Sequence, residues 1–199
     1  MPPQMGEAYC IRNHTRMDVD VSEISLAGAL SREQLRALIE DAERPLITEW
    51  QDLDEQIQPN GIDLTLREIS AFRGAGQIGV SSDDRILPEL APIAFDDDGW
   101  ATLTPGTYQI VYNEIVDIPV TLMALGRPRS SLPRAGATIH TAVWDAGYRG
   151  RSTSVLAVMN PEGFRVQRNA RVMQLVFFGM AQAPAEGYRG KYQGENTDR

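Results

Sequence analysis

The chain has 199 residues, enough for one folded unit with its own core, and its 42% hydrophobic and 23% charged content is that of a globular protein rather than a disordered one. A net charge of −8, from 27 acidic against 19 basic residues, speaks against a nucleic-acid or membrane-surface partner, because both polyanions need a basic face. A single cysteine, Cys10, excludes an internal disulfide, a Cys-x-x-Cys redox pair and a multi-cysteine zinc site, and no apolar run reaches membrane-spanning length.

Lys191 is the only lysine, every other basic side chain being arginine. Beside so many acids this bias fits a salt-rich, halophilic cytoplasm, although a GC-rich genome alone would also produce it. The N-terminus lacks the basic-then-apolar design of a secretion signal, which again points to the cytoplasm.

Residues 1–28 show no period and read as an extension. Ser31 with Gln34 forms a capping box, and Leu35, Leu38, Ile39 and Ala42 recur at helical spacing before Pro45. The spacing predicts one amphipathic helix. After the turn signal Pro59-Asn60-Gly61 come short β-rich runs at 62–69, 107–116, 119–126, 137–144, 153–160 and 171–180, separated by Gly, Pro and Asp clusters. The expected fold is therefore all-β, a sandwich, distorted barrel or jelly roll over residues 29–182. Residues 183–199 are polar and glycine-rich and read as a mobile tail.

Chemistry concentrates in 126-GRPRSSLPRAGATIHTAVWDAGYRG-150. Arg129, Ser130 and Ser131 offer a guanidinium fork, two hydroxyls and backbone N–H groups that can converge on phosphate oxygens, and Arg134 can reach the same concavity. The plain alternative is a solvated turn. Asp145 stands among apolar strand residues, where a carboxylate must be paired or used. It serves either to open a turn before Gly147 or, as a general base, to orient a water. Tyr148 is either a core aromatic or a ring laid against a sugar. His140 reads as a strand residue rather than a ligand.

Together these residues resemble the trimeric dUTPase and dCTP deaminase superfamily, and most closely its archaeal dUTPase branch. Gln58-Pro59-Asn60-Gly61-Ile62-Asp63-Leu64, Pro128-Arg129-Ser130-Ser131-Leu132, Asp145-Ala146-Gly147-Tyr148-Arg149-Gly150, Asn169 to Phe177 and Gly190-Lys191-Tyr192-Gln193-Gly194 are similar to its five motifs, in the required order. The resemblance implies a β-clip fold and hydrolysis of dUTP to dUMP and pyrophosphate, which limits uracil in DNA and supplies dUMP for thymidylate. It implies that Asp145 activates the attacking water and that Tyr148 packs on the deoxyribose. Thr141, Ala142 and Val143 would face the uracil edge. Arg129, Ser130, Ser131, Arg134 and Gln174 would hold the phosphates, joined by Lys191 as the mobile tail closes the active site, and Asp63 would tie the first motif to the serine loop. It further implies a homotrimer with sites between subunits, and Mg²⁺ held mainly by the triphosphate and water, with no protein metal ligand.

The family's deaminases carry a glutamate ten residues beyond the aspartate; here that position is Val155. Zinc-dependent deamination lacks its His-x-Glu and Pro-Cys-x-x-Cys ligands. Two alternatives to the dUTPase reading are a dCTP deaminase, alone or bifunctional, and a nucleotide-binding regulatory trimer without catalysis. The tail resembles the deaminase type, with Glu195 where such enzymes commonly have glutamine.

Overall fold

The computed structural model describes residues 28–198, so the extension read over residues 1–28 lies outside the described residues except for Gly28. Gly28–Ala29 form a two-residue strand, β1, whose partners are Gly179 and Phe178. That pairing runs through the backbone of two small exposed residues, so no side-chain pattern announces it.

Helix α1 (Arg32–Ile39) begins at the expected box: Ser31 Oγ accepts the Gln34 N–H at 3.4 Å and Gln34 Oε1 accepts the Ser31 N–H at 2.8 Å. Leu35 and Ile39 are its buried face. Ala42 falls beyond the helix end. Asp41 Oδ1 there accepts the N–H groups of Glu43 and Arg44 at 2.8 and 3.0 Å, a local turn that competes with helical pairing. The chain continues through β2 (Ile47–Thr48), a single-turn helix α2 (Leu53–Gln56) and β3 (Ile57–Gln58).

From there the chain is almost entirely strand: β4 (Gly61–Arg73), β5 (Glu89–Pro92), β6 (Trp100–Leu103), β7 (Gly106–Tyr112), β8 (Ile115–Asp117) and β9 (Leu122–Pro128). After another single turn, α3 (Ser131–Arg134), come β10 (Ala137–His140), β11 (Val143–Trp144), β12 (Arg149–Gly150), β13 (Thr153–Val158), β14 (Phe164–Gln167) and β15 (Arg171–Gly179). The main sheet runs β10-β13-β7-β4-β15-β9-β11, with β1 beside β15 and with β3 and β5 beside β4. It curls into a half-barrel, so the all-β expectation holds. Its concave side is filled by Ile62, Leu64, Leu66, Ile110, Tyr112, Leu175 and Phe177, all essentially buried. No helix among the described residues is long and apolar enough to cross a membrane.

Two runs that read as single strands are each broken. The run 137–144 breaks at Thr141-Ala142, where the chain leaves β13 and crosses to β9. Gly126 leaves room beside the crossing: a Cβ there would lie 2.5 Å from Met173 Sδ and 3.0 Å from both Thr141 Cγ2 and Trp144 Cζ3. The run 107–116 breaks at Asn113-Glu114, two buried polar residues. Glu114 accepts from the Thr65 N–H at 2.9 Å, the Thr65 hydroxyl at 2.6 Å and Gln56 Nε2 at 2.7 Å. Asn113 Nδ2 donates to Thr65 Oγ1 at 2.8 Å and to Asn169 Oδ1 at 2.9 Å. Burial pushes the Glu114 carboxyl above the usual range, and the hydrogen bonds from Thr65 and Gln56 partly offset it.

Glu114→Ala would leave three buried donors unpaired and is expected to lower stability by about 3 kcal/mol, read from the urea midpoint at unchanged m-value.

Candidate active site

Three neighbouring strands bring the first group of site residues together. Asp63 on β4 pairs with Gln174 on β15, and Gln174 with Arg127 on β9. Just past the end of β9, the Arg129 N–H donates to Val172 O at 3.1 Å, which turns the chain across β15. Arg129 Nε then lies 2.9 Å from Asp63 Oδ2, an ion-pair contact in which the N–H does not aim at the oxygen. Arg171 NH1 stands 3.8 Å from the same oxygen. Burial raises the Asp63 carboxyl above its ordinary value, while Arg129 and Arg171 pull it down. The expected tie between the first motif and the serine loop is thus an Asp63–Arg129 contact.

Ser130 and Ser131 lead into α3 and are exposed, with no side-chain cap bond from Ser130. Arg134 folds back to donate to Ser130 O at 2.6 Å. Arg129, Ser130, Ser131, Arg134 and Gln174 therefore form one polar corner, with Arg171 as a further cation that the sequence reading did not single out.

The second group sits elsewhere. Ala142, Val143, Trp144, Asp145 and Tyr148 line a cleft of about 290 Å³ together with Ser152, Thr153, Tyr188, Tyr192 and Glu195. Asp145 is exposed at its mouth and also borders a second cleft against Met123 and Met180. Tyr148 is buried, as a core aromatic would be, yet its edge lines the cleft. Thr141 lies apart from this cleft, over Gly126. Val155 pairs with His140 on one side and Gln109 on the other, and β13 carries no carboxylate.

The tail that reads as mobile is docked over this cleft. Gly194 N donates to Arg149 O at 2.8 Å, Arg151 N to Glu195 O at 2.9 Å and Tyr188 N to Ala146 O at 2.8 Å. Gln193 Oε1 accepts the Arg149 N–H at 3.0 Å. Gly147 allows the approach: its φ is +85° and a Cβ would lie 2.7 Å from Gly187 Cα. Arg151, 1% exposed, anchors the far end. Its guanidinium donates to Asn196 O at 3.1 Å, to Glu49 Oε2 at 3.1 Å and to the Asn113 carbonyl. Lys191 is exposed within this tail.

The two groups are far apart within one chain. β11 runs antiparallel to β9 with Trp144 opposite Ala124, so Asp145 comes level with Met123, six residues before Arg129. At the rise of an extended strand that is about 20 Å. The stretch 126–150 is continuous in sequence, but within a single chain it is not one site.

Sequence reading missed Ser152 and Arg151 and gave Glu195 no role. Trp144 Nε1 donates to Ser152 Oγ at 2.6 Å, Ser152 Oγ lies 3.1 Å from the Tyr148 hydroxyl, and that hydroxyl donates to Glu195 Oε1 at 2.9 Å. The usable signals were an arginine and a serine opening an otherwise apolar strand.

Burial raises the Glu195 carboxyl, and its bond from Tyr148 lowers it in part. Because the value is raised in the docked state, docking is fully favoured below the ordinary glutamate pKa and weakens as pH rises through the raised value. Tryptic cleavage after Lys191 is expected to speed up from about pH 5 to pH 8 in wild type relative to Glu195→Gln measured at each pH; equal ratios at every pH would contradict this.

Comparison with known proteins gives the family. Residues 29–180 match a family profile described as dCTP deaminase-like. A probable deoxyuridine 5′-triphosphate nucleotidohydrolase of Methanosarcina mazei is 51% identical over 169 residues, spanning 85% of this chain and 98% of that protein. One from Halobacterium salinarum is 39% identical over 151 residues, 73% of this chain and 87% of that one. Among solved structures, the 2′-deoxycytidine 5′-triphosphate deaminase from Agrobacterium tumefaciens superposes with a TM-score of 0.57 at 23% identity, a likeness of fold. It covers 77% of this chain and 48% of that one, so this chain spans about half that protein's length. On the profile match and the identity to full-length relatives, the chain belongs to the dCTP deaminase-like family.

Proposed function

We propose that this protein hydrolyses dUTP to dUMP and pyrophosphate, which limits uracil in DNA and supplies dUMP for thymidylate. The observation that carries the reading is the cleft itself: Asp145 stands exposed beside the edge of Tyr148, and β13 beneath offers no carboxylate for deamination. Relatives of nearly the same length bear the name of that activity.

In this reading Asp145 accepts a proton from a water as its oxygen attacks the α-phosphorus. The new P–O bond forms while the bond to the bridging oxygen breaks, and pyrophosphate leaves with that oxygen. Tyr148 supports the deoxyribose, leaving little room for a 2′-hydroxyl. The backbone near Ala142 and Val143 faces the uracil. Arg129, Ser130, Ser131, Gln174 and Arg134 neutralise and orient the phosphates, which is most of what phosphoryl substitution requires.

Because the phosphate corner and Asp145 are about 20 Å apart in one chain, the corner belongs to a second copy, in keeping with a homotrimer. Exposed Leu125 and Val143, cross-strand partners beside Asp145, supply apolar surface for such a contact. Among the described residues no three His, Cys, Asp or Glu side chains cluster as a cation cage. In this reading Mg²⁺ arrives on the triphosphate, held mainly by the phosphates and water, and Asp145, exposed in the cleft, is the carboxylate that would face it. When bound, the ion would neutralise charge developing on the phosphates.

Purified protein with Mg²⁺ is expected to release pyrophosphate and dUMP from dUTP and to form no uracil product from dCTP. Asp145→Asn should keep dUTP affinity within about tenfold and lose at least about 100-fold in turnover. Uracil nucleotides formed from dCTP would reopen the deaminase reading, and unchanged turnover in Asp145→Asn would remove Asp145 from the mechanism.

A further inference from the structure

We propose that Ser152 and Glu195 are positioning residues for Tyr148, so that docking of the C-terminal tail sets the sugar wall of the site. The inference rests on the dUTP reading only for the identity of the sugar that meets that wall.

The four groups form a single file with little freedom of polarity. An indole N–H can only donate, so Ser152 Oγ accepts from Trp144 at 2.6 Å. At the other end the Tyr148 hydroxyl gives its proton to Glu195 Oε1 at 2.9 Å. The middle contact, 3.1 Å, then has one arrangement left: Ser152 O–H donates to the Tyr148 oxygen. Each hydrogen has one acceptor and each oxygen is satisfied, in a region where Tyr148 and Ser152 are 6% and 4% exposed. Such a file holds a phenol at both its donor and its acceptor side and so fixes the ring.

Only one member comes from the tail. Glu195 is delivered by backbone pairing on either side, Gly194 N to Arg149 O and Arg151 N to Glu195 O, while Asn196 Nδ2 donates to Arg151 O at 3.0 Å. Tyr188 adds an edge-on contact, ring centroids 5.8 Å apart at 71°. If the tail lifts, Tyr148 loses the acceptor for its proton, which can then turn to water or to Ser152, so the file can hold two orientations instead of one. Closure of the tail and ordering of the tyrosine are therefore one event.

The test compares dUTP with UTP, which differs only at the 2′-hydroxyl. Glu195→Ala and Ser152→Ala are each expected to raise KM for dUTP more than they lower kcat and to reduce the preference for dUTP over UTP about tenfold. Glu195→Gln, whose amide oxygen can accept the same hydrogen bond, should restore most of that preference. In a Tyr148→Phe background Glu195→Ala should add less than about twofold, because a residue acting through the hydroxyl has nothing left to act on. An equal loss in both backgrounds, no rescue by glutamine, or an unchanged dUTP preference would overturn the proposal. A readout without turnover uses the ¹⁵N-labelled protein: Glu195→Ala should shift the indole N–H signal of Trp144 through Ser152, and an unmoved signal would contradict the file. Wild-type protein inactive on dUTP would defeat the functional reading alone, since the indole signal still decides whether the file exists.

Discussion

Strand β9 sets the distance on which the site depends. It is paired along its length with β15 and flanked at Ala124 and Leu125 by β11, so its extended rise separates the Arg129 corner from Asp145 and allows neither to move toward the other. A barrel strand cannot fold back on itself without breaking its ladder. The proposed chemistry needs phosphate donors and a water-orienting carboxylate within a few ångströms of one phosphorus, and a strand of this length holds the two candidate groups about 20 Å apart in one chain. In the proposed reading the fold yields two partial sites, each rigidly framed, and a second copy would bring the complementary parts together. Rigid framing suits phosphoryl transfer, where placement and charge neutralisation contribute most of the rate.

Behind each partial site lies a buried polar group that orients the residues in front of it. Asp63 sits beneath the phosphate corner with Arg129 and Arg171 about it, and Gln56 links the Asp63 carbonyl at 2.8 Å to Glu114. Beneath the tail, Arg151 plays the corresponding part, tied to the carbonyl of Asn113 beside that same Glu114. Buried charge of this kind is costly unless it is paired: Arg151 donates to the Asn113 and Asn196 carbonyls, whereas Asp63 Oδ2 takes no hydrogen bond and is offset by the charges of Arg129 and Arg171. Those residues read as functional specialisations of the framework rather than as general sources of stability.

Much of this was legible in the sequence because the fold is written in period-two alternation and turn residues. The Ser31–Gln34 capping box and the alternating run 153–158 need no tertiary context to be read. Asp145 and the Arg129-Ser130-Ser131 triplet could be singled out as site candidates too, since polar groups at the margins of apolar strands must be paired or used. The breaks at Asn113-Glu114 and Thr141-Ala142 were not, because each depends on partners more than ten residues away. The contacts that dock the tail were hidden for a similar reason. Gly-rich polar text looks mobile until Gly147 meets Gly187 and Arg151 meets Asn196, and neither pairing leaves a local trace. Nor could the spacing of 16 residues between Arg129 and Asp145 reveal that a strand's length keeps them apart.

The most direct measurement of this account mixes two inactive chains. Arg129→Ala removes a phosphate donor from one partial site, and Asp145→Asn removes the general base from the other. Each variant alone should be inactive on dUTP. Unfolded and refolded together at equal amounts, they should regain about a quarter of wild-type activity, the fraction of interfaces at which both intact parts meet in a randomly assembled ring. If mixed oligomers form, as mass spectrometry of differently tagged chains would show, and no activity returns, the active site is contained within one chain and the account is wrong.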